Sequence, residues 1–171
     1  MKSLNVISYV QYFKSIASLH KSIKGFYIMD INEVLEDLRG DLKYPALVLN
    51  SVSGFVSKNT NRDNILNTVK SGFLIIDHLN EISDFAGEIC ILGNTFDIGQ
   101  AILAKIIHDC SLDSSPLVGI DIDSIKYEMM DGIFDNDYGF LFTFDLCNQI
   151  MDLSFDPTFW LTQPKSGMSG F

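Results

Sequence analysis

The chain has 171 residues, 47% of them hydrophobic, with thirteen Phe and six Tyr, enough to bury one core, short for two domains and too apolar to be disordered away from its ends. Its formal net charge is −10 and its pI about 4.5, which excludes a broad phosphate-binding surface, because displacing counterions requires clustered Lys and Arg. No apolar run reaches the roughly 18 residues of a bilayer span, and no charged region, apolar stretch and small-residue cleavage site open the chain, so cytosolic synthesis without a membrane partner is expected.

Apolar residues Val6, Tyr9, Val10, Phe13, Ile16 and Ala17 recur at three-and-four spacing, which predicts a first helix ending near Gly25. Lys14, Lys21 and Lys24 form its solvated face. Asp30 with Glu33 three residues on, followed by Val34, Leu35 and Leu38, signals a short helix that stops by Gly40. After Tyr44-Pro45 the pattern turns to Ala46-Leu47-Val48-Leu49 and runs on to Phe55-Val56, one strand with Gly54 as its bulge. A polar connection, Lys58 to Asn64, leads to a second strand from Thr68 to Leu79 that pairs antiparallel with the first.

Between Ser83 and Cys110 the spacing returns to three and four, giving the longest helix, with Phe85, Ile89, Phe96, Leu103 and Ile106 on one face. Gly87, Gly93 and Gly99 within it signal a break near Gly93-Asn94 or close packing against a neighbour. Ile120–Phe134 and Gly139–Asn148 are then β-rich segments joined by Asp135-Asn136-Asp137-Tyr138. Phe140, Phe142, Phe144 and Leu146 alternate with Leu141, Thr143 and Asp145, the period of a half-buried antiparallel strand. The expected fold is α+β: one domain, residues 1–150, with an antiparallel sheet of about four strands and helices on one face. Residues 151–171 form an extended C-terminal arm, in which periodicity is lost and Pro157 and Pro164 favour an extended path.

Candidate chemistry is sparse. Asp135-x-Asp137-x-Gly139 has the alternate carboxylates of a calcium loop but no downstream Glu, and serves equally as a hairpin turn; no metal is expected there. Asp77-His78 pairs a carboxylate with an imidazole, yet neighbours on a strand point to opposite faces. His20, His108 and Asp121-x-Asp123 lack further ligands at metal spacing. Cys90, Cys110 and Cys147 show no CxxC spacing and read as reduced, buried small hydrophobes. No phosphate-binding or nucleophile-elbow motif occurs; Ser166-Gly167-Met168-Ser169-Gly170 lacks the strand-turn-helix context. The sequence therefore predicts no catalytic residue, cofactor or metal, and no enzyme. Large aromatics in the arm, Phe155, Phe159 and Trp160, are the expected partner interface.

The order of helix one, strand 46–56, strand 68–79, long helix 83–110 and hairpin 120–148 resembles that of tail terminator, or tail completion, proteins of long-tailed phages, over about residues 5–148. The resemblance implies a structural virion protein of the tail or neck, a terminator or head–tail connector subunit. It would form a hexameric ring with itself and meet neighbouring tail-tube or connector proteins. DNA would pass through without specific binding, which an acidic lumen suits. The competing expectation is a small acidic inhibitor or immunity-type protein that binds a basic partner.

Overall fold

The local patterns become two helices and six strands in a computed structural model that describes residues 5–29, 42–58, 65–81, 84–112, 117, 119–131 and 136–150. Helix α1 spans Val6–Leu19; Asn5 caps it by accepting from the amides of Ile7 and Ser8, satisfying donors that have no partner within the helix. It stops at Leu19, six residues before the expected Gly25, so Lys21 and Lys24 lie beyond it. Gly25–Met29 is instead a strand, β1, as its run of Phe26, Tyr27 and Ile28 favours.

Strands β2, Ala46–Asn50, and β3, Ser53–Lys58, lie end to end along the same side of β4, Ile65–His78. Leu49 faces Phe73 and Ser53 faces Lys70, so the extra residue falls within Asn50–Val52 rather than at Gly54. That bulge divides what the sequence suggests is one strand. Helix α2, Phe85–Cys110, runs 26 residues through Gly93 without a break, with Asp84 as its N-cap. By length and composition α2 could cross a bilayer, contrary to the expectation from its runs, but its buried stripe lies on the sheet as a core helix does. Strands β5, Ile120–Asp131, and β6, Asp137–Ile150, close the fold as a hairpin. Asp137 and Tyr138 belong to the strand, not the turn.

The sheet order is β1-β2-β4-β6-β5, and the β1–β2 pair is parallel while the others are antiparallel. The α+β class holds, but the sheet is mixed and has six strands instead of about four antiparallel ones. The difference is β1 at the edge and the splitting of β2 from β3. Residues 30–39, expected as a short helix, and the arm 151–171 lie outside the described residues.

Both described helices cover one face of the sheet. Tyr9, Phe13, Ile16 and Ala17 of α1 and Ile98, Ile102, Leu103 and Ile106 of α2 share a buried cluster with Leu47, Leu49, Phe73, Ile75, Phe142 and Phe144. Fully burying each large side chain here is worth about 1.5–3 kcal/mol. The helices are tied to each other where the Tyr12 hydroxyl donates to Asp109 at 2.8 Å, a carboxylate also held by Lys105 at 2.9 Å. Tyr9 reaches the sheet through a hydrogen bond to the Ser71 hydroxyl, and burial pushes its phenol up to about 12. On the opposite face a smaller cluster, Ala46, Val48, Leu74 and Ile76, is also buried, with Tyr27, Tyr44, Met130 and Leu141 packed around it.

Gly99 is where α2 touches the sheet most closely: a methyl added there would overlap the Phe142 ring, whereas one at Gly93 meets nothing within 4 Å. The same substitution should therefore have opposite signs on one helix. Gly99→Ala is expected to destabilise by about 1–3 kcal/mol through overpacking, and Gly93→Ala to stabilise by roughly 0.5–1 kcal/mol through helix propensity. Denaturant unfolding of the two variants checks this, and equal effects would contradict the packing of α2 on β6.

Candidate functional site

The antiparallel register of β4 and β6 makes His78 and Asp137 the last facing pair of the ladder. Side chains of such a pair lie on the same face, and here they bond: His78 Nδ1 meets Asp137 Oδ1 at 2.6 Å. The other carboxylate oxygen accepts from the Tyr44 hydroxyl at 2.6 Å, and the Tyr44 and His78 rings stack at 5.5 Å. Tyr44 sits just before β2, beside the cis Tyr44–Pro45 peptide. Three strand ends thus converge on one carboxylate that is 1% exposed, while the imidazole is 39% exposed.

Burial pushes the Asp137 carboxyl above its ordinary value of 3.8, with Asp77 adding to the rise, although hydrogen bonds from Tyr44 and His78 hold it back. Burial and the same carboxylate raise the Tyr44 phenol. A carboxylate accepting from Nδ1–H fixes the imidazole tautomer and leaves Nε2 available, the orienting half of an acid–base device. The other half is missing among the described residues, where no hydroxyl or thiol is hydrogen-bonded to His78. There the arrangement acts as a polar clamp on the strand ends.

The sequence singled out His78 with its neighbour Asp77. The structure pairs it with Asp137 instead, and Asp77 accepts from the His78 backbone amide. Both oxygens of Asp137 are engaged, by Tyr44 and His78; Asp135 lies outside the described residues. His20 caps the end of α1 and accepts from the Ser22 amide through Nδ1, and burial lowers its pKa. Asp121 accepts from the Asp123 amide within a bulge of β5, where residues 122–125 stand opposite Phe144 alone. Cys90 and Cys147 are exposed and Cys110 half-buried, contrary to the expectation of buried thiols. Among the described residues no group of three or more His, Cys, Asp or Glu is placed to hold a metal. Phe155, Phe159 and Trp160, the expected interface, lie outside the described residues.

Two further surfaces stand out. Beside the β1 edge, an open groove of about 800 Å³ between α1 and β1 is lined by Val6, Ile7, Val10, Phe26 and Ile28, with Lys14 the one charged residue among the described lining. Beside the β5 edge, Phe85 and Ile89 of α2 are 77% and 69% exposed, joined by exposed Ile122, Tyr127 and Met129 of β5. Charge is uneven too. Residues 5–29 and 42–58 contain Lys14, Lys21, Lys24, Lys43 and Lys58 and no carboxylate, whereas Glu81, Asp84, Glu88, Asp121, Glu128 and Asp131 accompany α2 and β5, together with Lys105 and Lys126. The acidic segment 30–41 lies outside the described residues. A polar hollow of about 410 Å³ over the β5 bulge mixes Lys70 and Lys126 with Asp123 and Asp145, a lining that selects neither anions nor cations.

No protein-family model matches this chain, and no curated protein matches it.

The raised carboxyl carries a pH signature. Folding favours protonated Asp137, so its contribution to stability is complete below the unfolded value near 3.8 and is lost as pH rises through the higher folded value. Asp137→Asn cannot titrate. The stability difference between the two proteins should move in the variant's favour from pH 4 to 7, read by denaturant unfolding at each pH; movement in favour of the wild type would mean a depressed carboxyl. Asp137→Ala, which strips Tyr44 and His78 of their acceptor, is expected to cost about 1–3 kcal/mol.

Proposed function

We propose that this chain is a structural subunit that joins head to tail with copies of itself, of the tail-terminator or head–tail connector kind, closing a phage tail or tail-like tube. One observation carries the reading: besides Leu19, Phe55, Val56 and Leu112, the large exposed apolar side chains include two unlike sets, Val6, Ile7 and Ile28 beside β1 at one edge of the sheet, and Tyr127 and Met129 of β5 at the other with Phe85 and Ile89 at the start of α2. A two-fold dimer uses one patch twice. Unlike patches on opposite sides join heterologously, and such contacts propagate until they close into a ring or run on as a filament.

Element order supports the resemblance in part: a first helix, a long helix and a closing hairpin recur, with both described helices on one face, but four strands, β1 to β4, stand where the resemblance has two. The acidic net charge of −10 suits a lumen through which DNA slides without being held. In this reading the protein works in the virion tail or neck, through contact with its own copies and with tail-tube or connector proteins, and the clamp at Asp137 is structural rather than catalytic.

The acidic β5 edge favours a second reading, an inhibitor or immunity-type module that takes one basic protein. Mass measurement in solution across a concentration series separates the two. A closed oligomer, a hexamer by the resemblance, with rings visible by negative-stain electron microscopy, is the expected outcome. A monomer at every concentration that forms a one-to-one complex with a basic protein would replace the first reading with the second.

A further inference from the structure

Resting on the head-to-tail reading, we infer that the groove between α1 and β1 is the socket for the first two turns of α2 of a second copy. The groove has an apolar floor and wall, Val6, Ile7, Val10, Phe26 and Ile28, and, among the described residues, one cation, Lys14. Its complement on the same chain is the exposed pair Phe85 and Ile89. They lie one helical turn apart on one side of α2, flanked by the carboxylates of Asp84 and Glu88. Amphipathic helices enter apolar grooves through anchors at this i, i+4 spacing.

The occupant cannot be this subunit's own helix. Asp109, near the C-terminal end of α2, is the residue that meets Tyr12 of α1, and Phe85 lies 24 residues earlier, roughly 36 Å away at 1.5 Å per residue. α2 packs over β4, β5 and β6, whereas α1 packs over β1 and β2 and reaches β4 through Tyr9 and Phe13. Socket and plug thus sit on different sides of one subunit, as a repeating contact requires. Charge supports the same partner: residues 5–29 offer lysines without a carboxylate, and the start of α2 offers Glu81, Asp84 and Glu88 without a lysine. Rim charges of this kind steer encounter and fix register.

The native exposed thiol of Cys90, next to Ile89, gives a direct probe in the full-length chain. With Gln11→Cys in the groove, mild oxidation should yield covalent dimers and higher multimers on non-reducing gels, and adding Cys90→Ser to the same chain should abolish them. Ile89→Asp, at an exposed position, should weaken association at least tenfold without lowering the melting temperature. Lys14→Glu and Glu88→Lys should each weaken it, and the two together should recover most of the loss. If the wild type is monomeric at every concentration, the head-to-tail reading and the socket fall together. If the wild type assembles but no Gln11–Cys90 product forms and Ile89→Asp assembles normally, the socket alone is wrong.

Discussion

Everything in this molecule hangs on the pairing of β4 with β6, an unbroken antiparallel register from Ile65 opposite Ile150 to His78 opposite Asp137. With a side-chain period of two, a slip of one residue would exchange the two faces of both strands. In the observed register Phe73 stands opposite Phe142 with the rings stacked at 5.2 Å, and Phe13 of α1 meets Phe73 at 5.9 Å. Phe142 in turn lies under Gly99 of α2. One facing pair thus seats both helices.

The same register builds the second face. Leu74 opposite Leu141, and Ile76 opposite Gly139, carry the smaller buried cluster toward the strand ends. There the ladder finishes on the His78–Asp137 pair, with Tyr44 closing from the β2 side. A buried carboxylate is costly unless its oxygens are bonded, and both are. Polar partners at the end of an apolar strip penalise alternative registers, because any slip would leave Asp137 buried without them.

What the sequence made legible follows from how local each signal is. The alternation of Phe142 and Phe144 against Leu141, Thr143 and Asp145 marks a strand with one strongly buried face, and the structure buries those phenylalanines under the helices. The long helix was readable because its stripe repeats over many turns. Strand β1 was not: five residues after a helix carry too short a pattern, and its strand state depends on β2 beside it. The Tyr44–Asp137–His78 cluster was hidden for a related reason. Its members are far apart in the chain, and only the β4–β6 register brings two of them together; no local pattern marks Tyr44.

The β5 edge of the sheet treats backbone and side chains differently. A bare edge strand invites pairing with any other strand. Strand β5 counters this with the bulge between Asp121 and Lys126, where the Asp145 amide bonds to the Ser124 hydroxyl, and with charges at Asp121, Asp123, Glu128 and Asp131. Those devices act on the backbone, spoiling the flat ladder that strand addition needs. They leave the side chains of Tyr127 and Met129 exposed on the face that carries α2, where Phe96 packs edge-on against Tyr127 at 5.3 Å. Contact through such side chains requires shape and charge complementarity from the partner, whereas strand addition accepts almost any extended chain. The β5 edge thus combines a backbone that resists strand addition with side chains left open to packing.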